Sequence, residues 1–132
     1  MEQVLVKIRD REYPLCMTVH AFAAIIDTCG GLEKLGNFLS GNGDAAKAIE
    51  NTAYALGTLI REGEENRRIT AECFGDGDAK PRKVPGPKDI CSLLTPAEIM
   101  PLRDTVMRAI SASMEQQLEA ETSKNGESAE PR

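Results

Sequence analysis

Residues 4–31 read VLVKIRDREYPLCMTVHAFAAIIDTCGG, and the spacing of their apolar residues changes once along the way. Val4, Val6 and Ile8 alternate with Leu5 and Lys7, the period of a strand, and β-branched residues suit that conformation. After a polar break at Asp10 and Arg11, Tyr13, Leu15 and Met17 alternate again. The two runs make a β-hairpin. Its turn lacks the Asn-Gly or Asp-Gly pair that tight turns favour, and Pro14 belongs on an edge because it cannot donate to a ladder. From Thr18 onward the period is helical, with Phe22, Ile25, Ile26 and Cys29 on one stripe. The Thr18 hydroxyl can cap that helix, and Gly30-Gly31 can end it in the left-handed region. A lone hairpin is marginal in water and must lean on helices. The stretch therefore predicts a mainly α fold: a small N-terminal β-hairpin followed by a bundle of about four helices.

The rest of the chain supplies those helices. Leu32, Leu35, Phe38 and Leu39 stripe a short second helix, closed by the break Ser40-Gly41-Asn42-Gly43. Asp44 caps a third, running from Ala45 to about Glu65, with Ala45, Ala48, Ile49, Thr52, Leu56, Leu59 and Ile60 on its apolar face. Ala53 and Gly57 leave room there for a neighbour to approach. Residues 75–88, GDGDAKPRKVPGPK, are too rich in Gly and Pro for a helix and read as a loop. Thr95, Pro96 and Glu98 then form a capping box, with Leu94 and Ile99 as its hydrophobic staple. Pro101 comes too late for that first turn and predicts a kink or a fresh start before the stripe Leu102, Val106, Ile110. One helical domain over 1–121 and a disordered tail over 122–132, TSKNGESAEPR, complete the reading.

Composition narrows the function classes. The 132 residues contain no Trp and only 4% aromatics, so the core is aliphatic. A net charge of −5 argues against nonspecific nucleic-acid binding, which needs basic surface to displace counterions from phosphates. No run approaches the roughly 20 apolar residues of a membrane span, and MEQVLVKIRD is no signal peptide. The expected site of action is the cytoplasm, with no membrane partner.

Residues that could carry chemistry are few and scattered. Cys16, Cys29, Cys73 and Cys91 lie far apart without a CxxC pair, and His20 alone does not complete a zinc site; the thiols read as small buried apolar residues. His20 stands beside Thr18 at a helix start, where a surface or capping role outweighs a catalytic one. Glu64-Glu65 and the Glu119–Glu121 stretch sit among other charges, without the burial that raises a carboxylate pKa. Asp76-Gly77-Asp78 reads as a turn, since Lys80, Arg82 and Lys83 follow where a calcium loop needs oxygen ligands. The basic run Lys80–Lys88 lacks the interleaved aromatics of a single-strand binder. No catalytic residue, metal site or cofactor is expected, and the chain reads as a non-enzymatic protein that binds other proteins.

The order hairpin, Gly-ended amphipathic helix and short Leu-rich helix LEKLGNFL resembles tail assembly chaperones of long-tailed phages and prophages. The run LLTPAEIMPLRDTVMRAI, with its Thr-Pro-x-Glu start and second proline, is also similar; the likeness spans about residues 3–114. The resemblance implies a factor made in the host bacterial cytoplasm. Such a factor associates with the aggregation-prone tape measure protein, helps tail tube protein polymerise around it, and tends to self-associate. Leu35, Phe38 and Leu39, on a short helix flanked by glycines, are the expected partner-binding residues. Met17, Met100, Met107 and Met114 add adaptable side chains of the kind found at promiscuous surfaces. Two alternatives stay open: another phage structural or adaptor protein such as a head–tail connector component, and a small nucleic-acid-associated regulator acting through Lys80–Lys88.

Overall fold

Three side-chain oxygens set where helices begin. Thr18 Oγ1 accepts the Ala21 N–H at 3.0 Å and Asp44 Oδ1 accepts that of Lys47 at 3.2 Å. Thr95 Oγ1 accepts that of Glu98 at 3.3 Å, while Glu98 Oε1 accepts the Thr95 N–H at 2.8 Å. Each satisfies one of the donors that a first helical turn leaves without a partner. The structure, a computed structural model, describes residues 4–114; the tail expected over 122–132 lies outside them.

The architecture is mainly helical with an N-terminal two-stranded antiparallel hairpin. Strands β1 (Leu5–Ile8) and β2 (Arg11–Pro14) pair Ile8 with Arg11 and Leu5 with Pro14. The turn is therefore Arg9-Asp10, one residue earlier than the sequence break at Asp10-Arg11 suggested, and Arg9 takes a positive φ of 60°. Helices α1 (Val19–Cys29), α2 (Leu35–Leu39), α3 (Ala45–Phe74), α4 (Pro87–Leu93) and α5 (Pro96–Ile99) follow. A further helix, α6, occupies residues 102–114, up to the last described residue. The fresh start expected at Pro101 is present, and α4 is the one helix the sequence reading did not include.

Two helices depart from the sequence reading. Helix α3 runs nine residues past the expected end at Glu65, to Phe74, where Gly75 closes it in the left-handed conformation. Three charge pairs line the extension: Glu64–Arg67 and Glu65–Arg68 at i,i+3, and Arg68–Glu72 at i,i+4. Helix α4 lies partly inside the stretch read as loop. Its Pro87 sits in the first turn, where the missing N–H is harmless, and the Gly86 N–H donates to Asp89 Oδ2 at 2.9 Å.

At 30 residues α3 is about 45 Å long, and its middle is covered on all sides. Thr52, Ala53 and every residue from Ala55 to Ile60 are buried, as are Glu62 and Gly63. Helices α1, α2, α4 and α5 and strand β2 all pack on α3, and Val106, Ala109 and Ile110 of α6 join the same core. Two glycines permit the closest approaches. A Cβ on Gly57 would stand 2.8 Å from the Pro87 ring, and one on Gly63 would stand 2.8 Å from the Pro14 carbonyl oxygen. Just beyond, the Cys16 N–H donates to the Leu59 carbonyl at 3.2 Å, so the chain leaving β2 is bonded to the helix backbone.

Gly63→Ala and Gly57→Ala are each expected to destabilise the fold by about 1–3 kcal/mol through overpacking. Gly36→Ala, with open space around its Cβ position in α2, is expected to be neutral or stabilising by up to ~1 kcal/mol. Urea unfolding of the three variants checks this. Equal stability of Gly63→Ala and the parent contradicts the close approach.

Candidate functional site

The hairpin, the second half of α3 and the strap of residues 75–86 enclose a cleft of about 660 Å³, within the range of ligand pockets. Its apolar lining comes from Tyr13, Pro14, Ile60 and Val84. Each wall has a separate cause. Strand β2 is held by the Pro14–Gly63 approach, and Ile60 faces inward from the buried middle of α3.

The strap is fastened by one ion pair. Glu64 and Arg67 form a two-pronged contact, Arg67 Nε to Oε1 and Nη2 to Oε2, both at 2.9 Å. Arg67 also donates from Nη2 to the Lys80 carbonyl at 2.7 Å and from Nη1 to the Asp78 carbonyl. Glu64 Oε2 in turn accepts the Arg82 N–H at 2.8 Å. All three strap groups are main-chain, so the pair fixes the strap's backbone, and the charges of Arg82 and Asp78 act on the pair from close by. The Lys80 N–H donates to Asp78 Oδ1 at 2.9 Å, which closes the turn expected around Asp76-Gly77-Asp78.

Three cationic side chains line the cleft without an ion pair among the described residues: Arg11 from β2, and Arg82 and Lys83 from the strap. Glu12 and Asp76 are the carboxylates beside them that are not held by an arginine. The Arg67 hydrogen bonds, reinforced by the Arg82 N–H, push the Glu64 carboxyl down to about 2. Glu64 is thus neither solvated nor poised for proton transfer, which corrects its reading as one of a solvated pair. Burial, and next the charge of Glu62, pushes the Cys16 thiol up, which disfavours the nucleophilic thiolate at this position.

Glu62 is the buried acid that the sequence did not announce. It accepts a 2.6 Å hydrogen bond from Thr18 Oγ1, so one hydroxyl both caps α1 and anchors it to α3. The His20 ring is 90% exposed and stands 4.0 Å from the same carboxylate, a surface position at the helix start as expected. Cys16 and Cys29 are half-buried and Cys73 and Cys91 exposed, so the thiols are not the buried apolar residues anticipated. No group of three His, Cys, Asp or Glu residues converges among the described residues.

The expected partner-binding residues divide. Leu35 and Leu39 are buried in the domain's own core, and the Asn51 side chain bonds the Phe38 carbonyl at 2.7 Å. Phe38 is half-buried and meets Tyr54 edge-to-face with ring centres 6.3 Å apart. In this conformation α2 therefore offers little to a partner. Large apolar side chains that do face solvent include Val19, 84% exposed, and Phe74, 75% exposed, with Ile69 and Met100 about half exposed. Met17, Met107 and Met114 pack against the core instead. No helix among the described residues is long and apolar enough to cross a membrane. Comparison with protein-family models, curated proteins and solved structures finds no match.

The sign of the Glu64 shift fixes a pH dependence. A depressed folded pKa stabilises the fold fully above the ordinary carboxyl value of 4.5, and that contribution is lost as pH falls toward about 2. Glu64→Gln is expected to lower stability at neutral pH and to flatten the stability profile between these two values. Urea midpoints measured across that window test it, and coincident neutral-pH midpoints for parent and variant contradict the latch.

Proposed function

We propose that this chain is a phage tail assembly chaperone that binds the tape measure protein in the bacterial cytoplasm, keeps it soluble and assists tail tube assembly. It does so as a binding protein and not as an enzyme. The observation that carries the reading is the order of elements: a small hairpin, an amphipathic helix ended by Gly30, a short Leu-rich helix, and a Thr95-Pro96 start placed before the terminal helix.

A tape measure protein presents long apolar helical faces, so its partner must offer apolar surface. Val19 and the end of α3, with Ile69 and Phe74, already do so without disturbing the core. Leu35 and Leu39 would reach a partner only if α2 left its seat, which the flanking Gly30-Gly31 and Ser40–Gly43 joints would allow. Contact through Ile69 and Phe74 requires no such rearrangement and is the simpler arrangement.

Co-production with a tape measure protein from the same gene cluster is expected to keep that protein soluble and to yield a complex that withstands high salt, because apolar contacts are little screened. Ile69→Ser with Phe74→Ser is expected to weaken co-purification while circular dichroism stays unchanged. A folded parent protein that leaves its cognate tape measure protein insoluble contradicts the assignment. A fixed-stoichiometry ring in light scattering favours the connector alternative.

A further inference from the structure

Residues 76–83 of the strap lie on the body without being built into it. All of them are exposed except Ala79, which is half-buried. Their fastenings among the described residues are the three main-chain groups held by the Glu64–Arg67 pair. No main-chain group of residues 76–85 bonds another main-chain group among the described residues. The two ends differ from this middle. Downstream, Val84 packs against the core and the Pro87 ring rests on Gly57. Upstream, Gly75 ends α3 at a φ of 71° and Gly77 follows at 89°, both with open space where a Cβ would stand. Those two glycines can change conformation without meeting a neighbour.

We propose that residues 76–83 are a lid on the cleft that opens and closes while the helices stay folded, with Glu64 and Arg67 as its latch. The chemistry of the latch favours this. When the lid lifts, Glu64 and Arg67 stay paired with each other on α3, so neither charge loses its partner. The carbonyls of Asp78 and Lys80 and the Arg82 N–H pass to water, an exchange of hydrogen bonds with a modest net loss. The lid itself has little apolar surface to uncover, because its residues are already exposed. Segments with so few buried contacts are the ones that open locally. Opening withdraws Asp76, Arg82 and Lys83 from the cleft wall and leaves Tyr13, Pro14, Ile60 and Val84 in place. The apolar part of the cleft then becomes reachable from the strap side. The lid does not depend on the tape measure reading, and either can fail while the other holds.

Native-state hydrogen exchange on the full chain tests this through the Arg82 amide, which Glu64 holds at 2.8 Å. In the parent, low urea is expected to leave Arg82 exchange unchanged while it accelerates exchange in residues 52–60 of α3. Arg67→Lys keeps the charge but removes the two-pronged contact, and is expected to raise Arg82 exchange by about tenfold or more with circular dichroism unchanged. An Arg82 amide that shares the urea dependence of residues 52–60 in the parent overturns the proposal, because the strap would then open only with the whole domain. Unchanged Arg82 exchange in folded Arg67→Lys overturns it as well, because the pair would then not be the latch.

Discussion

Two close approaches to one helix determine how the rest of the chain is arranged. The Pro14 carbonyl rests against α3 at Gly63 and the Pro87 ring at Gly57, each where a Cβ would clash. The first contact seats the hairpin and the second starts α4. Between them, Leu59 and Ile60 are buried and the Leu59 carbonyl receives the Cys16 N–H. A chain with low aromatic content cannot fill wide gaps, so its elements must come close together. Small side chains at Ala53, Ala55, Gly57 and Gly63 make that spacing possible, at the expense of helix propensity in the two glycines.

Polar groups on the same helix have different effects along its length. Glu62 is buried and accepts from the hydroxyl that caps α1, with Arg61 Nε 3.9 Å from its other oxygen. Tyr54, half a core residue, donates to the Ala24 carbonyl at 3.2 Å and receives the Thr28 hydroxyl at 2.9 Å, binding the end of α1. Glu64 and Arg67, farther along, neutralise each other and grip the strap by its backbone. Of the strap's own cations, Arg82 and Lys83 line the cleft without an ion pair among the described residues. Apolar side chains face solvent at Val19, Ile69 and Phe74, away from the charged residues that line the cleft.

How much was legible in the sequence follows from which interactions are local. The caps at Thr18, Asp44 and Thr95, the Gly30 terminus and the restart at Pro101 depend on residues a few positions apart, and all could be read directly. The hairpin was readable for the same reason, though its turn was misplaced by one residue because Arg at positive φ is a poor signal for a turn. Helix α4 was missed because Pro and Gly dominate residues 81–87, although Gly86-Pro87 followed by Asp89 carries half of a capping box. The site was mostly invisible. Burial of Glu62, the strap's attachment to Arg67 and the seating of Leu35 and Leu39 in the core all involve partners distant in sequence.

If α3 is the element on which the others are assembled, its middle must be the last part of the molecule to open. Native-state hydrogen exchange measures this residue by residue. The amides of residues 52–60 are expected to exchange only through global unfolding, with the same denaturant dependence as the whole domain. The amides of α1, α4 and α6 should exchange no more slowly. Exchange of residues 52–60 through a smaller opening, while α1 or α6 stays protected, would contradict the central place given to this helix.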